Sequence, residues 1–133
     1  MTSIRRGILL TGWICAAVLS NAADPQDPPT HKELKRADLS GAPGMEVISA
    51  INEFKPGDEL PRHSHPGIET GYVLQGAMVQ APGKEPVMLQ AGALIMNLRD
   101  VPHGGFKVVG DTSLKAYTVY IVDKGKPLYE WVK

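Results

Sequence analysis

From Met45 onward the chain is a succession of short apolar runs cut by turn signals, and none shows helical periodicity for more than a turn or two. Residues 45–54, 72–74, 77–80, 87–89, 93–96, 106–109 and 114–122 are rich in β-branched and aliphatic side chains. Between them stand Pro82-Gly83-Lys84, Ala91-Gly92, His103-Gly104-Gly105, Gly110-Asp111 and Lys124-Gly125, where glycine and proline favour reversal of the chain. Closely spaced short strands of this kind predict an all-β sandwich or barrel. In 114–122, Tyr117, Val119 and Ile121 alternate with Thr118, Tyr120 and Val122, which predicts a strand covered on both faces. Met78, Met88 and Met96 fall in or beside these runs and are expected to pack the interior. At 133 residues and 43% hydrophobic content, a single core is expected.

Embedded in this pattern is the stretch 57–76, GDELPRHSHPGIETGYVLQG. Alternate side chains of an extended strand share a face, so His63 and His65 aim one way and Ser64 the other. Pro66-Gly67 turns the chain, and Glu69 can then return its carboxylate toward the same point. Two nitrogens and one oxygen thereby converge, with Gly57 and Gly76 marking turns on either side. No second His-x-His occurs, which implies one site per chain.

The first residues belong to a different kind of segment. Arg5-Arg6, an apolar run from Ile8 to Leu19 and then Ser20-Asn21-Ala22-Ala23 have the order of an export signal. The run is shorter than the ~20 residues a membrane-spanning helix needs. Residues 1–23 are therefore read as a cleaved signal, with cleavage after Ala22 or Ala23 and a periplasmic or secreted product that keeps no membrane segment. Residues 24–36 are proline-rich and polar and read as an extended leader, in which His31 is expected to be solvated; 37–133 form the domain. Lys32 to Leu39 is open to a helical turn or an edge strand. The single cysteine, Cys15, lies within the signal, so the mature chain would lack disulfides, thiolate ligands and a thiol nucleophile. Acidic and basic residues balance at 14 each, and no basic cluster points to nucleic acid.

Far downstream, His103 sits in Asp100-Val101-Pro102-His103-Gly104-Gly105. In a closed antiparallel barrel, strands remote in sequence face one interior, so distance along the chain does not exclude His103 from the site. Here the sequence resembles the cupin superfamily, whose first motif, G-x5-H-x-H-x3-E-x6-G, is met at Gly57, His63, His65, Glu69 and Gly76. The second, G-x5-P-x-G-x2-H-x3-N, is met at Gly92 and His103 alone: Leu98 replaces the proline, Asp100 the second glycine and Lys107 the asparagine. Asp100 can adopt the left-handed conformation a glycine would supply, whereas the bond made by the asparagine is lost. The resemblance implies a double-stranded β-helix (jelly-roll) barrel and one divalent metal ion held by His63, His65, Glu69 and His103. A homodimer is also implied.

Three imidazoles and a carboxylate suit Fe, Mn, Ni, Co, Zn or Cu, and the donor types do not choose among them. Four protein donors on a six-coordinate ion leave two positions for a small molecule, which suits a Lewis acid or an oxygen activator. The function expected first is a metal-dependent, dioxygenase-type oxidoreductase acting on a small oxygenated molecule. The alternative is an exported binding or sensing module without turnover; a metal-free sugar isomerase fits the full donor set less well. No catalytic base stands out, Glu53, Glu59, Tyr72 and Tyr117 being equal candidates.

Overall fold

A computed structural model describes residues 27–133; the expected export signal, Cys15 included, lies outside them. The described chain forms β1 (His31–Asp38), β2 (Met45–Phe54), β3 (Glu59–Leu60), β4 (His63–Ser64), β5 (Gly67–Gln75), β6 (Ala77–Gln80), β7 (Val87–Leu89), β8 (Leu94–Asn97), β9 (Phe106–Val109), β10 (Leu114–Asp123) and β11 (Glu130–Trp131). No helix occurs among the described residues. One antiparallel sheet runs β1-β2-β10-β5-β8, a second runs β3-β9-β6-β7, and β11 pairs with β4. This is the double-stranded β-helix.

Strict alternation in β2 and β10 builds the interior. Ile48, Ala50, Asn52 and Phe54 of β2 are buried, as are Leu114, Ala116, Thr118, Tyr120 and Val122 of β10. The register pairs Tyr120 with Ile48 and Leu114 with Phe54, so inward residues of adjacent strands meet on one face. One apolar cluster joins Ile48, Tyr120, Val122, Leu128 and Tyr129; the other joins Phe54, Val73 and Leu114 to Ala77, Val79 and Val108 of the facing sheet. Each fully buried aliphatic side chain contributes about 1.5–3 kcal/mol.

The motif glycines have distinct physical reasons. Gly57 has φ +95°, a left-handed turn conformation that side chains disfavour. Gly76 lies so close to the neighbouring chain that a Cβ would stand 2.5 Å from the Leu89 carbonyl oxygen.

Four expectations need correction. His31–Asp38 is an edge strand paired with β2, so the leader-to-domain boundary at 37 falls inside a paired strand. His31 is 6% exposed, because the register sets it opposite Asn52, to which its ring bonds at 3.0 Å. Composition alone does not reveal this docking. Met88 and Met96 are 55% and 64% exposed, since β7 and β8 are sheet edges whose outward positions no described residue covers. Likewise β10 is central within its sheet, and among the described residues no second layer covers its Tyr117 face, where Tyr117 is 37% exposed.

Candidate metal centre

His63 and His65 flank Ser64 on and just beyond the short strand β4, pinned on one side by β11, where Glu130 pairs with Ser64 and Trp131 with His63. Glu69 follows on β5 opposite Asn97 of β8. His103 arrives by backbone pairing: its N–H donates to the His63 carbonyl at 2.8 Å, and the His63 N–H donates to the His103 carbonyl at 3.0 Å. The Asp100 N–H caps the His65 carbonyl at 3.0 Å, and Asp100 has φ +59°, the left-handed conformation expected of it in place of glycine.

All four residues expected at the site are thus brought together. The imidazole centroids are 4.8 Å apart for His63–His65, 4.4 Å for His63–His103 and 4.9 Å for His65–His103. One ring nitrogen from each lies within 4.8 Å of the others. Glu69 Oε2 stands 3.5 Å from His65 Nε2 and 3.2 Å from His103 Nε2. His63 and His65 are buried, Glu69 is 7% exposed and His103 is half-buried.

Backbone carbonyls decide which nitrogens face inward. His63 Nδ1 bonds to Pro61 O at 2.9 Å, His65 Nδ1 to Leu128 O at 2.6 Å and His103 Nδ1 to Val101 O at 3.0 Å. A carbonyl oxygen only accepts, so each Nδ1 carries the hydrogen and each neutral ring keeps its Nε2 lone pair. The Nε2 atoms of His65 and His103 are buried without a hydrogen-bond partner, facing a carboxylate oxygen. Lone pairs set against an anion in a buried site repel unless a cation lies among them, and the donor set therefore fits a divalent ion.

The electrostatics point the same way. Burial pushes the His63 imidazole down to about 4, which keeps its lone pair free. Burial alone would raise Glu69, yet His103, His65 and Asn97 together hold it well below the usual carboxylate range. Burial also opposes charge on His103, but the facing Glu69 carboxylate outweighs it and raises that pKa. Glu69 thus attracts positive charge to the spot where the nitrogens meet.

Several supporting residues carried no signal in the sequence. Asn97 Nδ2 donates to Glu69 Oε2 at 2.7 Å and orients the carboxylate. Tyr120 and Tyr129 hold their rings 5.0 Å from His65. Their hydroxyls are 3.2 Å apart, and Asn52 Nδ2 donates to Tyr120 OH and Thr118 Oγ1 at 2.9 Å each. Burial raises both phenols above their ordinary value, so they remain neutral. Trp131 stacks on Tyr129 at 5.3 Å and closes the far side of His63. Only an i,i+2 or i,i+4 spacing is visible in a sequence; these partners come from other strands and from the C-terminal segment.

A cavity of about 240 Å³ opens beside this centre, with His63, Glu69, His103, Asn97 and Tyr129 at its polar end and Phe54, Val73, Ile95, Phe106 and Leu114 among its walls. The expected base candidates do not border it. Glu53, Glu59, Tyr72 and Tyr117 are absent from its lining, and their side chains lie on outer faces or edges of the sheets.

Among solved structures, a protein with a double-stranded β-helix domain from Klebsiella pneumoniae matches with a TM-score of 0.50 at 17% identity, over 80% of this chain and 90% of that one. A cupin-like protein from Thermotoga maritima matches with a TM-score of 0.48 at 23% identity, over 77% of this chain and 74% of that one. DMSP lyase DddQ from Ruegeria pomeroyi matches with a TM-score of 0.48 at 21% identity, over 61% of this chain. The chain spans 41% and 46% of the lengths of the two DMSP lyase chains it resembles. No curated protein sequence matches it significantly. The family model described as a cupin domain matches residues 50–120, more than half of the sequence, and the chain belongs to the cupin family.

Proposed function

We propose that this chain is a metal-dependent oxidoreductase of the oxygenase type, holding one divalent ion through His63, His65, Glu69 and His103 and acting on a small oxygenated molecule. The observation that carries the reading is the set of three backbone carbonyls that fix every Nδ1–H and leave the Nε2 lone pairs beside an ionised Glu69. Fe, Mn, Ni, Co, Zn and Cu all suit the donors. When bound, such an ion supplies a Lewis acid or, if redox-active, a centre for oxygen chemistry. The chain's own part is positional: Asn97 orients Glu69, the tyrosine pair packs beneath His65, and apolar walls border the space where a substrate would lie.

The test is metal analysis of purified protein, with about one ion per chain expected, released by chelator and on acidification as protons compete for the imidazoles. Protein that holds no ion and shows no thermal shift with any of the six metals would remove the reading.

One observation favours a second reading, a ligand-binding or sensing module without turnover. Among the described residues, Glu69 is the only carboxylate on the cavity, and it belongs to the metal centre, with Asn97 bonded to it and two imidazole nitrogens within 3.5 Å. Oxygen uptake by iron-, manganese- or copper-loaded protein across phenols, diketones and thiols separates the two. Consumption identifies the enzyme, and stabilisation without consumption the binder.

Export to the periplasm or beyond is part of the proposal, checked by a mature N-terminus at Ala23 or Asp24. So is a homodimer, checked by sedimentation.

A further inference from the structure

The cavity has the chemistry to choose a substrate, and its polar groups are largely occupied. Asn97 is bonded to Glu69, and Asn52 spends its amide hydrogens on Thr118 and Tyr120 and its carbonyl oxygen on His31. The Tyr129 hydroxyl lies between Tyr120 at 3.2 Å and His31 at 3.3 Å. Away from the imidazole end the walls are hydrocarbon, including Phe54, Leu60, Val73, Ile95, Phe106 and Leu114. Among the described residues, no lysine or arginine borders the space, and Glu69 is its one carboxylate.

From these walls we infer the substrate class: a compact, mainly hydrocarbon molecule with one oxygen- or sulfur-bearing head and at most one negative charge. The head's position rests on the metal reading above; the size and polarity of the body rest on the cavity alone. Size follows from volume. Since ~150 Å³ accommodates benzene, about 240 Å³ takes roughly ten non-hydrogen atoms, one ring with a short substituent. Charge follows from the donors, because a divalent ion beside one carboxylate leaves a single positive charge, which a monoanion neutralises. A dianion would leave net negative charge against apolar walls with no basic side chain among the described residues to meet it. A sugar fails for another reason. Each hydroxyl buried against hydrocarbon without a partner weakens binding by about tenfold.

The experiment uses the full mature chain loaded with zinc, which holds the site without turnover, and measures binding of phenol, oxalate and glucose by calorimetry. Phenol is expected to bind at least tenfold more tightly than either of the others. Ala116→Leu and Ile95→Trp, which fill the cavity from a buried and from a half-exposed wall, are expected to weaken phenol by tenfold or more with zinc affinity unchanged. If one variant does not fold, the other still decides. Oxalate or glucose binding as tightly as phenol, or a folded variant that binds phenol as the parent does, would overturn the inference. The two readings fail separately. Protein that takes no zinc, yet binds phenol in a manner lost in Ile95→Trp, keeps the cavity assignment and loses the metal; protein that takes zinc but prefers oxalate does the reverse.

Discussion

Beneath His65 the barrel is full, whereas a few residues along the same strands it is hollow. Tyr120 pairs with Ile48 at the closed end, and Leu128 and Tyr129 fold over them. Further along, Thr118 pairs with Ala50 and Ala116 with Asn52, and Thr118, Ala116 and Asn52 line an open space. Leu114 and Phe54 then close the far side, leaving about 240 Å³ between. One alternation of inward positions therefore builds a rigid seat for the histidines and an open chamber beside it. The difference between them is side-chain size at four successive inward-facing register pairs.

If the closed end holds the fold and the chamber serves the ligand, equal truncations should cost unequally. Ile48→Ala, at a side chain 1% exposed, should lose about 3 kcal/mol in urea unfolding, because a cavity opens in packed surroundings. Ile95→Ala, whose side chain already borders a space, should lose about 1 kcal/mol. Similar losses for both would erase the contrast.

A milder effect sharpens it at the boundary. Asn97→Ala removes the amide that holds Glu69, and should weaken metal affinity about 10–100-fold while leaving the urea midpoint of metal-free protein almost unchanged. A chelator competition assay reads the first and denaturation the second; an effect on stability alone would make Asn97 a structural residue.

The smallest effect is expected on the surface. Asp123 is held below the usual carboxylate range by Arg99 and Lys126. A depressed carboxylate contributes stability above its unfolded pKa of about 4 and loses it as the pH falls below that value. The pair is exposed and salt-screened, so Asp123→Asn should move Tm by no more than about 2 °C at neutral pH, and the difference should shrink as the pH falls below about 4. A larger shift would mean that the surface pairs also anchor the barrel.

The predicted strands at 45–54, 77–80, 87–89 and 106–109 match the observed elements because period-2 patterning and glycine or proline breaks are local properties. Strands at 72–74 and 114–122 were placed but drawn short, the first because Gly67 and Gly71 in β5 resemble turn residues. In fact these glycines let β5 lie against β10: a Cβ on Gly67 would stand 2.0 Å from the Ile121 carbonyl oxygen. The outward exposure of Met88 and Met96 was not legible, since hydrophobicity does not say which strand forms an edge.

The residues alone determined a β architecture, the shared face of His63 and His65, and the tolerance of Asp100 for a left-handed turn, because strand periodicity and backbone sterics act over a few residues. Only the tertiary fold decided that His103 lies in backbone pairing with His63, that His31 docks on Asn52, and that the Leu128 carbonyl sets the tautomer of His65. Those contacts join segments up to 63 residues apart, as with His65 and Leu128. Closing such loops is repaid by burial of the whole barrel rather than by any local preference.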